Sequence, residues 1–131
     1  MEVKSTPHLA NRPATELYAR LTDLSRFGHS LPPQVTNFHA EGDTCSFTIQ
    51  GMTDITLNIT HKTPNHIIYS NSSEKPFPFH LHFYLEEEDS QSTRLTVAFE
   101  GELNPMLAIM ARGPLQNFVN MVADKIAEKG M

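Results

Sequence analysis

The chain of 131 residues has one cysteine and no tryptophan. A lone thiol cannot close an internal disulfide, so burial and hydrogen bonding must hold the fold, and Cys45 suggests nothing extracellular. No uninterrupted apolar run approaches the ~18 residues that a membrane-spanning helix needs. The opening segment Met1-Glu2-Val3-Lys4-Ser5-Thr6-Pro7-His8 has no apolar stretch of the signal-peptide kind. These absences lead us to expect a cytoplasmic protein with no membrane insertion. Cations are also scarce, with 10 Lys and Arg against 15 Asp and Glu, a net charge of −5. No basic cluster is present, so no nucleic-acid partner is expected. There is no phosphate-cradling glycine loop, no zinc-type cysteine spacing and no Ser/His/Asp order. No cofactor is expected.

What remains is ordinary globular composition, with 39% hydrophobic and 19% charged residues. The length suits one domain, 1–131, burying roughly two-thirds of the surface of its unfolded chain.

The strongest helix signal is the tail. Asn104 can accept the free N–H groups of a helix start, and Pro105 fits the first helical position. Leu115, Phe118, Val119, Val122 and Ile126 then form one apolar stripe on a 3.6-residue period, with Met121 beside them. Gly113-Pro114 interrupts it, and a kink is expected where Pro114 cannot donate to the Met110 carbonyl. The kink fits the helix to a curved sheet, or frees residues 103–113 as a flap. Near the other end, 2–9 reads as a weak first strand, which Pro7 demotes to an edge or a strand end. Asn11-Arg12-Pro13 starts a helix with Leu17, Leu21 and Leu24 on one face, helped by Tyr18, and Glu16 and Arg20 spaced as an i,i+4 pair. Asp23 caps a second short turn through Phe27, ended by Gly28 and Leu31-Pro32-Pro33.

Between 35 and 103 the period is two. Cys45, Phe47 and Ile49; Ile55, Leu57 and Ile59; Phe77 through Leu85; and Leu95, Val97 and Phe99 each alternate with mainly polar residues. Residues 66–73 are a further strand, but Ile67-Ile68 leaves its phase open. The separators at 41–43, 51–54, 63–65 and 86–92 are turn-formers, which makes the strands an antiparallel meander. The expected class is α+β, with two short helices after the first strand and one long helix covering a sheet of about six to seven strands. A twisted sheet of that size curls, and a helix across it leaves a groove for bulky side chains to fill.

This order, with Pro13-Ala-Thr-Glu-Leu-Tyr through Leu21-Thr-Asp23-Leu24, then Leu31-Pro32, then Leu103-Asn104-Pro105-Met106, Gly113-Pro114-Leu115-Gln116 and Met121-Val-Ala-Asp124, resembles the START-like (SRPBCC, helix-grip) superfamily. That superfamily includes the birch-pollen allergens and polyketide cyclases. The tail is most similar to small bacterial members of unassigned function. The resemblance covers essentially the whole chain and implies a helix-grip fold. It carries no catalytic motif onto these residues, since the fold hosts carriers, cyclases, allergens and chaperone activators alike.

The aromatic set Phe47, Phe77, Phe79, Phe83, Phe99 and Phe118, with Met106, Met110 and Met121, fits either a packed core or the wall of an apolar cavity. The expected lining is Phe47, Leu57, Phe79, Phe83, Phe99, Met110, Phe118 and Met121. The expected ligand is a small apolar or amphipathic molecule, lipid-like or of polyketide or aromatic type, held by a carrier or sensor. One alternative is a cyclase- or hydrolase-type enzyme with Tyr69, His80 or His82 as acid or base. Another is a protein-interaction module, which the Thr, Ser, Asn, His and Glu of the outer face weaken. His80 and His82 have a spacing that can bind a metal, but the Phe/Leu alternation turns them to solvent without a third ligand, so no metal is expected. The other histidines, His8, His29, His39, His61 and His66, show no ligand spacing. Cys45 is expected to be buried and inert, and Glu86 through Asp89 to be a solvated hairpin loop. A homodimer through a sheet edge stays open.

Overall fold

The computed structural model describes residues 1–28, 31, 33, 35–49, 54–71 and 77–129, the side chains of Ile49 and Lys129 apart. His29, Pro32, Gln50, the turn at 51–53, Ser72 and Ser73 of the 66–73 strand, and Gly130 lie outside them.

The order of elements is β1 (Glu2–Lys4), β2 (His8–Ala10), α1 (Ala14–Leu21), α2 (Leu24–Phe27), β3 (Val35–Glu41), β4 (Thr44–Ile49), β5 (Asp54–Thr63), β6 (His66–Asn71), β7 (Phe79–Asp89), β8 (Ser92–Gly101) and α3 (Pro105–Lys129). The strands form one 8-stranded antiparallel sheet in the order β1-β8-β7-β6-β5-β4-β3, with β2 also pairing with β8. The meander follows from the short turns. The eighth strand arises because the first strand splits. Ser5 leaves the ladder to make its own bonds with Val97, its N–H donating to the Val97 carbonyl (2.8 Å) and its hydroxyl accepting the Val97 N–H (3.0 Å). Pro7 has no N–H to continue the pairing, and the chain resumes as β2 along the same partner.

The two short helices end where local chemistry stops them. Asp23 accepts the Ser25 N–H (3.2 Å) and opens α2. Glu16 lies 3.0 Å from Arg12 and 3.1 Å from Arg20, so one carboxylate ties the residue ahead of α1 to its last turn. The last carbonyl of α1, at Leu21, accepts the hydroxyl of buried Tyr69 (2.5 Å). That satisfies a helix-end acceptor which would otherwise be stranded in the core.

The sequence phase holds along the strands, with Cys45, Phe47, Ile55, Leu57, Leu81, Phe83, Leu95, Val97 and Phe99 all buried. In β6 the open phase resolves to Ile67 and Tyr69 inward and Ile68 outward. The acidic run is not a loop. β7 extends through Asp89, Glu86 pairs in register with Arg94, and Arg94 Nε lies 2.6 Å from the Glu88 carboxylate. A cation on the facing strand lets the acidic residues stay in the ladder. The β3 edge is broken by a register shift between Thr36 and His39, where Asn37 takes φ 57°. Such a bulge works against pairing with another chain.

Helix α3 runs from its Asn104 cap, whose Oδ1 accepts the Leu107 N–H at 2.9 Å, through Pro114 to Lys129. Val119, Val122, Ala123 and Ile126 are fully buried against the sheet. Polar ties fasten this half: Gln116 Nε2 donates to the Lys4 carbonyl (2.7 Å), Asn120 Oδ1 accepts the Thr6 N–H (3.2 Å), and Lys125 Nζ donates to the Leu31 carbonyl (3.0 Å). The first half differs. Met106, Ile109 and Met110 are 74%, 80% and 69% exposed, although all are apolar.

Candidate functional site

Under that unsupported half of α3 lies a cavity of about 600 Å³, within the range of small-molecule sites. Its floor is the inner face of the sheet: Phe47 of β4, Ile55 of β5, Phe79 and Leu81 of β7, and Phe99 of β8, with Phe77 just before β7. Its roof is α3, through Leu107, Met110, Ala111, Pro114, Leu115, Asn117, Phe118 and Met121. Three rings build the aromatic wall. Phe79 and Phe99 stack with centroids 5.4 Å apart, and Phe77 stands edge-on to both at 5.9 and 6.1 Å. Gly101, opposite Phe79 in the ladder, leaves room for the Phe99 ring, since a Cβ there would sit 2.8 Å from two of its carbons.

Phe47, Phe79, Phe99, Met110, Phe118 and Met121 therefore share one cavity wall, while Leu57 and Phe83 do not belong to it. Both are fully buried. Phe83 packs with Phe27 and Tyr69 at centroid distances of 6.1 and 4.7 Å, where α1 and α2 seal the other end of the sheet. Strand alternation fixes the inward face but not the position along the groove, which the helices decide. Ile55, Leu81, Leu107, Ala111, Pro114, Leu115 and Asn117 also line the cavity and were not in the lining expected from sequence. For Ile55 and Leu81 the signal was present in the strand phase. Asn117 shares the helix face of Met110, Pro114 and Met121, but its polarity hides it from an apolar-stripe search.

The acid–base candidates lie elsewhere. Tyr69 is spent on the Leu21 carbonyl, and burial pushes its hydroxyl well above the ordinary range. His80 and His82 alternate with Phe79 and Leu81 and so occupy the opposite face of the sheet. Cys45 is buried and its thiol is pushed up to about 12 by desolvation, which leaves it inert.

On that outer face the structure gathers histidines the sequence had scattered. His66 Nε2 and His82 Nδ1 are 2.9 Å apart, and His82 Nε2 is 3.1 Å from Glu100 Oε1. His66 stacks on Tyr84 (4.5 Å) and approaches His61 (5.2 Å). A register shift between Ile59 and His61 sets the pairing of His61 opposite Ile68, beside this row. Ser70 Oγ lies 2.5 Å from His80 Nδ1. Among the described residues no group of three or more His, Cys, Asp or Glu has the geometry to hold a metal ion. A second, shallower groove of about 850 Å³ lies between α1 and the β5–β6 turn, with Tyr18, Tyr84, Glu86 and Glu87 on its walls.

A curved antiparallel sheet gripping one long C-terminal helix, with two short helices near the start, is the helix-grip fold of START-like proteins. Solved structures of that fold superpose on essentially the whole chain. A START superfamily protein from Mycobacterium smegmatis has 14% identity, a TM-score of 0.68 and 99% coverage of both chains. The KanY protein has 10% identity and a TM-score of 0.79, covering 98% of this chain and 96% of its own. A norcoclaurine synthase point mutant from Thalictrum, solved with a transition-state analogue, has 9% identity and a TM-score of 0.70, covering 100% and 96%. No family model and no curated protein sequence matches the chain. Among the described residues no helix is long and apolar enough to cross a membrane.

Proposed function

We propose that the protein binds an apolar or amphipathic small molecule, lipid-like or aromatic, between the sheet and α3, and acts as a carrier or sensor without chemistry of its own. The observation that carries this reading is the cavity. It is of ligand size, its walls among the described residues are apolar but for Asn117, and its roof is a helix segment with exposed apolar residues. Burying a ligand there removes apolar surface on both sides from water, which supplies the driving force. The fold is consistent with this use. An enzymatic reading has less support, because the candidate acids and bases lie in the sealed core or on the far sheet face. We place its work in the cytoplasm, where its single buried thiol would stay reduced.

Native mass spectrometry of protein purified gently from its own host tests the reading, followed by denaturing analysis of what dissociates. A stoichiometric apolar compound is the expected result. A clean apo mass, together with no saturable uptake of the neutral dye N-phenylnaphthylamine, would overturn it.

A further inference from the structure

We propose that the ligand carries one uncharged group that both donates and accepts a hydrogen bond, a hydroxyl in the simplest case. The Asn117 amide and the Met110 carbonyl hold it at the rim of the cavity. This rests on the binding reading above and adds the polarity of the ligand.

The cavity lining contains no Asp, Glu, Lys, Arg or His among the described residues. An ionised group drawn inside would lose its water and meet no opposite charge, so a charged ligand is strongly disfavoured. A wholly apolar ligand seated at the rim would displace water from two polar groups of the wall and give them no hydrogen bond in return. The first is Asn117, the one polar side chain of the lining among the described residues. Its neighbours are engaged elsewhere: Gln116 bonds the Lys4 carbonyl and Asn120 the Thr6 N–H. Asn117 makes no side-chain hydrogen bond with the described residues. An amide offers two N–H donors and one carbonyl acceptor, and no charge.

The second polar group is a carbonyl freed by sequence. In an α-helix the Met110 carbonyl would accept from residue 114, and Pro114 has no N–H to give. Met110, Pro114, Asn117 and Met121 follow one another at steps of four, three and four, which keeps them on one helix face, and all four line the cavity. Met110 and Asn117 therefore border the same cavity, the one with a carbonyl that residue 114 cannot pair, the other with an amide that no described residue bonds. A hydroxyl fits both: its hydrogen goes to the Met110 carbonyl and its oxygen accepts from Asn117 Nδ2.

Three probes of nearly equal volume separate the possibilities: naphthalene, naphthol and naphthoate. Each is titrated at neutral pH against the full chain and against Asn117→Leu, by displacement of N-phenylnaphthylamine. In Asn117→Leu, naphthol should lose about three- to tenfold in affinity, the worth of one hydrogen bond, while naphthalene is unchanged or tighter. Naphthoate should bind the parent chain more weakly than naphthol. Pro114→Ala returns an N–H to the Met110 carbonyl and should also weaken naphthol selectively. Asn117 is exposed, and a thermal melt checks that each variant is folded. Equal losses for naphthol and naphthalene in Asn117→Leu would overturn the proposal and leave the binding reading intact, as would tightest binding of naphthoate. If neither the dye nor any probe binds the parent chain, the binding reading itself fails and this proposal with it.

Discussion

His66 and His82 face each other across β6 and β7 with ring nitrogens 2.9 Å apart. The contact needs one nitrogen protonated and the other bare, so two imidazolium rings cannot keep it. Burial holds His66 below the ordinary imidazole value of 6.5, with the charges of His82 and His61 adding to the effect. Around it stand His61 on β5, His82 and Tyr84 on β7, and Glu100 on β8, with Glu2 and Lys4 on β1 beyond.

The sign of the pH dependence follows. A depressed folded-state value means that the unfolded chain takes up this proton first as pH falls. The contribution is complete above 6.5 and is lost as pH drops from there toward the folded value. Urea midpoints should therefore fall between pH 7.5 and pH 5.5, and His66→Phe should flatten that slope. An unchanged slope in the variant would remove His66 from the account.

Tyr69→Phe deletes only the hydroxyl that reaches the Leu21 carbonyl. The carbonyl is then left buried without a donor, at a cost of about 1–3 kcal/mol. Chemical denaturation should show this loss with little change in dye binding, since Tyr69 does not line the cavity.

Phe83 and Phe118 should respond differently to truncation. Phe83 is fully enclosed, and Phe83→Ala should destabilise by about 3–5 kcal/mol. Phe118 is half-buried on the cavity wall. Phe118→Ala should cost less than that range and change the affinity for N-phenylnaphthylamine. Equal costs in the two variants would mean that Phe118 is packed as tightly as Phe83.

Hydrogen exchange should divide α3 at Gly113-Pro114. Residues 115–126 carry the buried stripe and the ties to Lys4, Thr6 and Leu31, whereas 105–112 have the Asn104 cap and exposed apolar side chains. Residues 105–112 should exchange markedly faster, as expected of a region with few buried contacts. Comparable protection in both would remove the flap, and ligand binding should slow exchange in 105–112 first.

Periodicity and turn chemistry by themselves determined the class of the fold, the inward face of each long strand and the course of α3 from Asn104. These are local properties: alternation, helical stripe, cap and breaker act within a few residues of chain. Only the tertiary structure decided where along the sheet the groove is sealed and where it opens. Phe83 and Phe79 have the same phase on β7, but α1 and α2 cover one and the thinly packed half of α3 spans the other. The same is true of the histidine row, which strand register and one bulge assemble from residues 61, 66, 80 and 82. Asn117 gains its place by facing a cavity whose other walls come from four different strands and the stretch before β7. Side-chain period fixes a direction, but long-range pairing fixes the neighbours, and a binding site is made of neighbours.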